Sequence, residues 1–140
     1  MTERVFRATI LVRFAYCDPA GIMFHPRYME MFNNLVEDWC RQENLPFLEL
    51  RPGAGRGLPT VHLEVDFLAP SFRGDELSAA LSVRELGTSS ITLDILLQGP
   101  DGADRVRGRM VLVLMDMQSM RSMPIPDDLR ARIAPYLAAR

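Results

Sequence analysis

Val12-Arg13-Phe14-Ala15-Tyr16-Cys17-Asp18-Pro19-Ala20-Gly21-Ile22-Met23-Phe24-His25-Pro26-Arg27-Tyr28 lies between two contrasting hydrophobic patterns. Upstream, residues from Val5 to Tyr16 alternate. Phe6, Ala8, Ile10, Val12, Phe14 and Tyr16 fall on one face, and Arg7, Thr9 and Arg13 on the other, which predicts a half-buried strand. Downstream, Tyr28, Met29, Phe32, Leu35, Val36, Trp39 and Cys40 recur every three or four residues, the period of a helix, predicted from about Pro26 to about Gln42. Pro26 suits its first turn, where the missing N–H would have no intrahelical partner. Glu30, Asn33, Asn34, Glu37, Asp38 and Arg41 occupy the remaining face, so the helix carries a core-sized apolar stripe. Between strand and helix, Asp18-Pro19-Ala20-Gly21 is a turn-forming run that carries a carboxylate.

Beyond the helix, Asn44 to Pro59 holds Pro46, Pro52, Gly53, Gly55, Gly57 and Pro59, and reads as a loop at the rim of a site or a lid over it. Thr60 to Phe67 alternates again, with Val61, Leu63, Val65 and Phe67 expected inward and Thr60, His62, Glu64 and Asp66 outward. A turn over Ala69–Asp75 leads to a strand from Glu76 to Leu86, built on Leu77, Leu81 and Val83. Gly87-Thr88-Ser89 then turns the chain into Ile91, Leu93, Ile95 and Leu97. Gly99-Pro100-Asp101-Gly102 is the strongest turn signal, and a strand from about Arg105 to Met115 follows it. Leu129, Ile133 and Leu137 space a tail helix over Pro126–Ala139, interrupted by Pro135. Strands joined by short turns are antiparallel, so one long helix and one antiparallel sheet predict an α+β architecture. Val111, Val113 and Met115 point away from the core face of the last strand, an apolar remainder that suggests a partner subunit.

Composition narrows the function. The 140 residues fit one domain, 1–140, able to bury a core unaided. A net charge of −2 offers no basic excess for nucleic acid or an anionic membrane. All sixteen basic residues are Arg, which excludes Schiff-base chemistry through Lys and leaves any phosphate to bidentate guanidinium groups. Cys17, Cys40, His25 and His62 match no zinc spacing, and no metal or organic cofactor is expected. The start runs directly into strand residues and no stretch approaches the roughly eighteen apolar residues of a membrane span, so a cytoplasmic protein is expected.

Asp18 precedes a helix whose N-terminus offers free N–H groups and partial positive charge. That end would favour a carboxylate, and equally an oxyanion forming on a bound carbonyl. Asp18 is thus a candidate nucleophile, or base for water, in acyl transfer. The same four residues are also readable as a turn and nothing more. His25 could bind substrate or support Asp18, or be a satisfied surface residue. Cys17 could be a thiolate nucleophile, though a small half-buried residue is the simpler account. Met23, Phe24 and Tyr28 could line an acyl pocket or belong to the core. His62 and Glu64 do not by themselves make a metal site.

Asp18-Pro19-Ala20-Gly21-Ile22-Met23-Phe24-His25-Pro26-Arg27-Tyr28 resembles the D-x-x-G-[IV]-x-[FWY]-x-x-x-Y signature of the 4-hydroxybenzoyl-CoA thioesterase family. The resemblance implies a hotdog fold, with a long central helix wrapped by a five- to six-stranded antiparallel sheet. It implies an acyl-CoA thioesterase acting on a small or aromatic acyl thioester, with CoA only as part of the substrate. Asp18 would attack the thioester or activate water, and backbone N–H groups near His25 would polarise the carbonyl. The site would lie at a subunit interface of a homodimer or homotetramer. His25 stands where the aromatic-acyl branch tends to have Tyr and the Tol-Pal-associated branch has His, which favours a catalytic or supporting role.

The candidate substrate-binding residues are Gly21, Ile22, Phe24, Tyr28, Thr60 and Arg84. The chain departs from the family where a basic run meets the nucleotide phosphates, because Arg84-Glu85-Leu86-Gly87-Thr88-Ser89 carries one Arg. Phosphate binding then falls to Arg84 with arginines from elsewhere, or the carrier is the pantetheine arm of an acyl carrier protein. Two other functions fit the same fold: an acyl-thioester dehydratase or hydratase relying on His25, and a non-catalytic subunit that binds acyl-CoA or an acyl carrier.

Overall fold

The computed structural model describes residues 3–50, 52–53 and 55–138. Its main sheet has five antiparallel strands: β1 (Phe6–Leu11), β4 (Thr60–Phe67), β5 (Glu76–Leu86), β6 (Ser90–Gln98) and β7 (Asp104–Val113). Their spatial order is β1-β5-β6-β7-β4. Side chains alternate between faces along a strand. Leu77, Ala79, Leu81 and Val83 of β5, Ile91, Leu93, Ile95 and Leu97 of β6, and Val106, Met110 and Leu112 of β7 therefore share one face, and all are buried.

Helix α1 (Pro26–Glu43) buries Tyr28, Met31, Phe32, Leu35, Val36, Trp39 and Cys40 in the same core. Met31 joins the expected stripe, and Met29 is only partly buried. The helix ends at Asn44, whose φ of 55° is left-handed and whose N–H reaches back to the carbonyls of Arg41 and Cys40. Asn tolerates that conformation at a helix C-terminus better than most residues.

Several expectations are corrected. β1 stops at Leu11, and a 3-10 turn over Phe14–Tyr16 replaces the last residues of the predicted strand, leaving Phe14 exposed. The segment Asn44–Pro59 is not structureless. It forms β2 (Leu48–Glu49) and β3 (Arg56–Gly57), which join β8 (Met115–Asp116) and β9 (Arg121–Ser122) in a small second sheet. Residues 51 and 54 of that segment lie outside the described residues.

The tail is divided into α2 (Asp127–Ile133) and a 3-10 turn at Ala134–Tyr136, as Pro135 would cause, and Ala139 of the expected helix lies outside the described residues. On β4, Leu63, Val65 and Phe67 pair with Met110, Gly108 and Val106, and so point to the core face as expected. They are not enclosed. Leu63 and Phe67 are 37% and 50% exposed on this edge strand. A register shift between Thr60 and His62 breaks the expected alternation: Thr60 pairs with the core-facing Leu112, and Val61, without a β7 partner, is 57% exposed.

Candidate active site

The chain between Tyr16 and Phe24 folds into a narrow hairpin. Phe24 donates its N–H to the Tyr16 carbonyl at 2.8 Å, Cys17 bridges Met23, and Asp18 donates to the Ile22 carbonyl at 2.9 Å. At the tip, Gly21 donates to the Asp18 carbonyl at 2.9 Å with φ +82°, a conformation that a Cβ would penalise. Asp18 stabilises its own turn, since Oδ1 accepts the Ala20 N–H at 2.8 Å. Among the described residues no other protein donor reaches its carboxylate. Met23 is buried in the core, Tyr16 and Cys17 pack against it half-buried, Asp18 and Ile22 are half-buried, and Phe24 is exposed.

The hairpin is anchored at its outer strand. Met23 donates to the Ser71 carbonyl at 2.8 Å, and Ile22 bridges Phe72. Beside it lies a cleft of about 280 Å³ lined by Ile22, Met23, His25, Tyr28, Phe67, Leu68, Ala69 and Pro70. The His25 ring packs edge-on against Phe24 and Phe67, with centroids 5.3 and 6.1 Å away. Tyr28 lies 5.6 Å from Phe67. The walls are therefore largely apolar, with three rings, His25, Tyr28 and Phe67, among the eight lining residues.

His25 is the N-cap of α1, and its side chain makes no capping bond. The helix end is less open than the sequence suggests. Pro26 has no N–H, while Arg27 and Tyr28 donate to the carbonyls of Phe24 and His25 at 2.9 and 3.1 Å. The N–H of His25 has no acceptor among the described residues, so one amide at the cleft stays available.

A polar network underlies the cleft. Ser71 is fully buried, and Tyr28 is 3% exposed. Arg105 Nη1 donates to the Pro70 carbonyl at 2.9 Å, to Asp75 Oδ2 at 3.1 Å and to Ser71 Oγ at 3.4 Å. Burial pushes the Tyr28 phenol above its ordinary pKa, opposed by the Ser71 hydrogen bond and the Arg105 charge. Asp75 is held below the usual carboxylate range, first by the hydrogen bond from the Phe72 N–H and further by Arg105, although burial acts the other way.

Of the predicted site residues, Ile22, His25 and Tyr28 line the cleft, while Asp18 and Gly21 belong to the adjoining hairpin turn and not to its lining. Phe24 is 46% exposed and touches the cleft only through His25. Thr60 and Arg84 are not brought there by this chain. Thr60 begins β4, about 23 Å from Phe67 at the usual rise per strand residue. Arg84 pairs with Asp94 at 2.9 Å in a depression of about 590 Å³ on the sheet face away from the core. The described residues of Asn44–Pro59 likewise pack at the Thr60 end, away from this cleft.

His62 Nε2 and Glu64 Oε1 lie 3.1 Å apart in an exposed side-chain contact. Among the described residues no group of three His, Cys, Asp or Glu could hold a metal, and no helix is long and apolar enough to cross a membrane. Sequence reasoning missed Phe67 as a cleft wall, along with Ser71, Asp75 and Arg105. The turn signal of Pro70–Asp75 marked the segment but not its partner on β7.

The sequence profile of the thioesterase-like superfamily matches residues 12–133. The chain belongs to the thioesterase-like superfamily, and thioester hydrolysis is the enzyme class that this membership carries. It is 24% identical over 116 residues to a 1,4-dihydroxy-2-naphthoyl-CoA hydrolase from Synechocystis, covering 82% of this chain and 84% of that one. A hypothetical protein from Staphylococcus aureus, solved in complex with CoA, superposes with a TM-score of 0.88 at 20% identity, over 97% of this chain and 85% of that one. A thioesterase superfamily protein from Jannaschia sp. CCS1 superposes with a TM-score of 0.86 at 29% identity, over 96% of this chain and 94% of that one.

Proposed function

We propose that this protein hydrolyses an acyl-CoA thioester with a small or aromatic acyl group, using Asp18 as nucleophile or general base. One juxtaposition supports the reading. Asp18 and the unengaged His25 N–H belong to one anchored hairpin and its helix, beside an apolar cleft walled in part by the rings of His25, Tyr28 and Phe67. The naphthoyl group in the name of the Synechocystis relative supports the aromatic choice.

In direct attack, an Asp18 oxygen bonds to the carbonyl carbon as the C–S bond breaks. This leaves an acyl-aspartyl anhydride and the CoA thiolate, and water then cleaves the anhydride. In the alternative, Asp18 takes a proton from the attacking water, and that proton passes to the leaving sulfur. In both routes the His25 N–H donates to the carbonyl oxygen as it gains negative charge. The reaction draws on no metal or organic cofactor.

The active form is a homodimer or a homotetramer built from it, with one domain of residues 1–140 in each copy. β4 leaves its outer edge unpaired and exposes Val61, Leu63 and Phe67 beside it, a combination that invites another strand. Antiparallel pairing of β4 with its own copy would set the partner's Thr60 opposite Phe67. The partner's counterpart of the Asn44–Pro59 segment would then border this cleft, giving Thr60 and that segment the roles the sequence suggests. A cleft of about 280 Å³ is small beside ordinary ligand sites, roughly 300–1,000 Å³, and a second subunit would complete it. Arg84, carried on the outer sheet face, is the candidate for the CoA phosphates.

Free-thiol release from a panel of short, long and aromatic acyl-CoAs tests the reaction. Release led by the aromatic members is expected. Consumption of an enoyl-CoA without thiol release would replace hydrolysis by hydration, and tight binding with no turnover would leave only a binding subunit.

A further inference from the structure

Arg105 reaches from β7 into the segment that holds the Asp18 hairpin, and its contacts converge there. Its Nη1 donates to the Pro70 carbonyl at 2.9 Å and to Asp75 Oδ2 at 3.1 Å, so one nitrogen ties both ends of the 70–75 turn. Asp75 Oδ2 also accepts the Phe72 N–H at 2.9 Å, which fixes the middle of that turn. The Arg105 carbonyl accepts from the N–H groups of Leu68 and Ala69 at 2.8 and 3.1 Å. Backbone and side chain of one residue thus clasp the stretch that walls the cleft.

Ser71 is the junction between that stretch and the hairpin. Its carbonyl takes the Met23 N–H at 2.8 Å, and its buried hydroxyl lies between Arg105 Nη1 at 3.4 Å and the Tyr28 phenol on α1. The Arg105 side chain is 11% exposed, so these bonds are shielded from competing water. The rigid guanidinium plane fixes where Nη1 sits among the carbonyl, the hydroxyl and the carboxylate, whereas a Lys ammonium turns freely on its flexible stem.

We infer that Arg105 is a positioning residue, acting through Ser71 and Asp75 to hold the Asp18 hairpin and the Ala69–Pro70 wall in register for attack on the thioester. The inference rests on the thioesterase reading for its chemistry, but its structural half stands apart from that reading. Asp101 meets Arg105 only at 3.6 Å and is 63% exposed, so it lies at the solvent end of the cluster and serves as a control.

The test compares wild type with Arg105→Gln, Arg105→Lys, Asp75→Asn and Asp101→Asn, each well below its thermal midpoint. Amide exchange is followed in the peptide spanning residues 16–24, beside kcat and KM for thiol release from an aromatic acyl-CoA. Faster exchange in Arg105→Gln and Asp75→Asn is expected, with kcat at least tenfold lower, KM within about threefold and an unchanged acid limb of the pH profile. Arg105→Lys should fall between Gln and wild type, and Asp101→Asn should match wild type.

A merely stabilising Arg105 would lower the midpoint while leaving exchange in 16–24 and kcat within twofold of wild type, and that result overturns the inference. Should Arg105→Gln fail to fold, the same comparison on Arg105→Lys and Asp75→Asn decides it. If wild type releases no thiol, the thioesterase reading fails, and the exchange data alone still show whether Arg105 holds the hairpin.

Discussion

The ring of Phe32 lies directly on Gly108 of β7, so close that a Cβ at position 108 would sit 2.6 Å from Phe32 Cε2. The glycine occupies a core-facing place in β7 between Val106 and Met110, and the aromatic ring of α1 fills the space a side chain would take. This contact fixes how closely helix and sheet approach. Gly108→Ala must displace the ring or the backbone, and overpacking of this kind costs about 1–3 kcal/mol. Thermal unfolding should show a midpoint lower by about 3–10 °C. An unchanged midpoint would mean that α1 moves away freely.

Acid stability should depend on Asp75. Its folded pKa is depressed, first by the hydrogen bond from the Phe72 N–H and further by Arg105. Its contribution is therefore fully present above the unfolded carboxylate pKa, about 3.9, and is lost as pH falls from there through the lower folded value. Denaturant titrations of wild type at descending pH should lose stability through this window more steeply than those of Asp75→Asn. Parallel curves would remove Asp75 from the acid response.

The two thiols should separate cleanly. Cys40 is fully buried, and burial, with Glu37 nearby, pushes its pKa up to about 12. Cys17 is half-buried at the hairpin, its Sγ 3.6 Å from the Arg13 carbonyl. A thiol reagent at pH 8 should label one cysteine per native chain, identified by peptide mapping as Cys17. Cys40 should react only after unfolding.

The open edge of β4 predicts a subunit contact that charge can break. Val61→Glu with Leu63→Glu places two carboxylates beside that edge, where the wild-type side chains are 57% and 37% exposed. Sedimentation should then show a smaller species than wild type at equal concentration, with circular dichroism unchanged. An identical sedimentation coefficient would place the contact elsewhere.

The Asp18 turn, the reach of α1 and the alternation of β5, β6 and β7 were legible because each is encoded by neighbours in sequence. Pro19 and Gly21 mark the turn, and Leu77, Ile91 and Val106 begin core rows of period two. The exposure of Leu63 and Phe67 was not legible, since alternation gives the direction of a side chain and not what covers it. Nothing local distinguishes an edge strand such as β4 from an inner one.

The short strands at Leu48–Glu49 and Arg56–Gly57 escaped notice for a related reason, because two residues make no period and their pairing with Met115–Asp116 is long-range. The Ser71–Arg105 contact joins residues 34 apart, so neither side chain announces the other. The engagement of the Arg27 and Tyr28 amides needed the actual path of the chain into α1, and it reduces a supposed row of free donors to His25.

The most direct test of the proposed chemistry is thiol release from an aromatic acyl-CoA by wild type, Asp18→Asn and Asp18→Ala, with substrate binding measured in parallel. The Asn amide oxygen can still accept the Ala20 N–H now taken by Asp18 Oδ1, so Asp18→Asn should keep the turn, the midpoint and the binding. Its kcat should fall by about a thousandfold or more. Asp18→Ala should lose the same activity and, with the turn bond gone, about 1 kcal/mol of stability. Asp18→Asn turning over within tenfold of wild type would contradict the assignment of Asp18 as nucleophile or base.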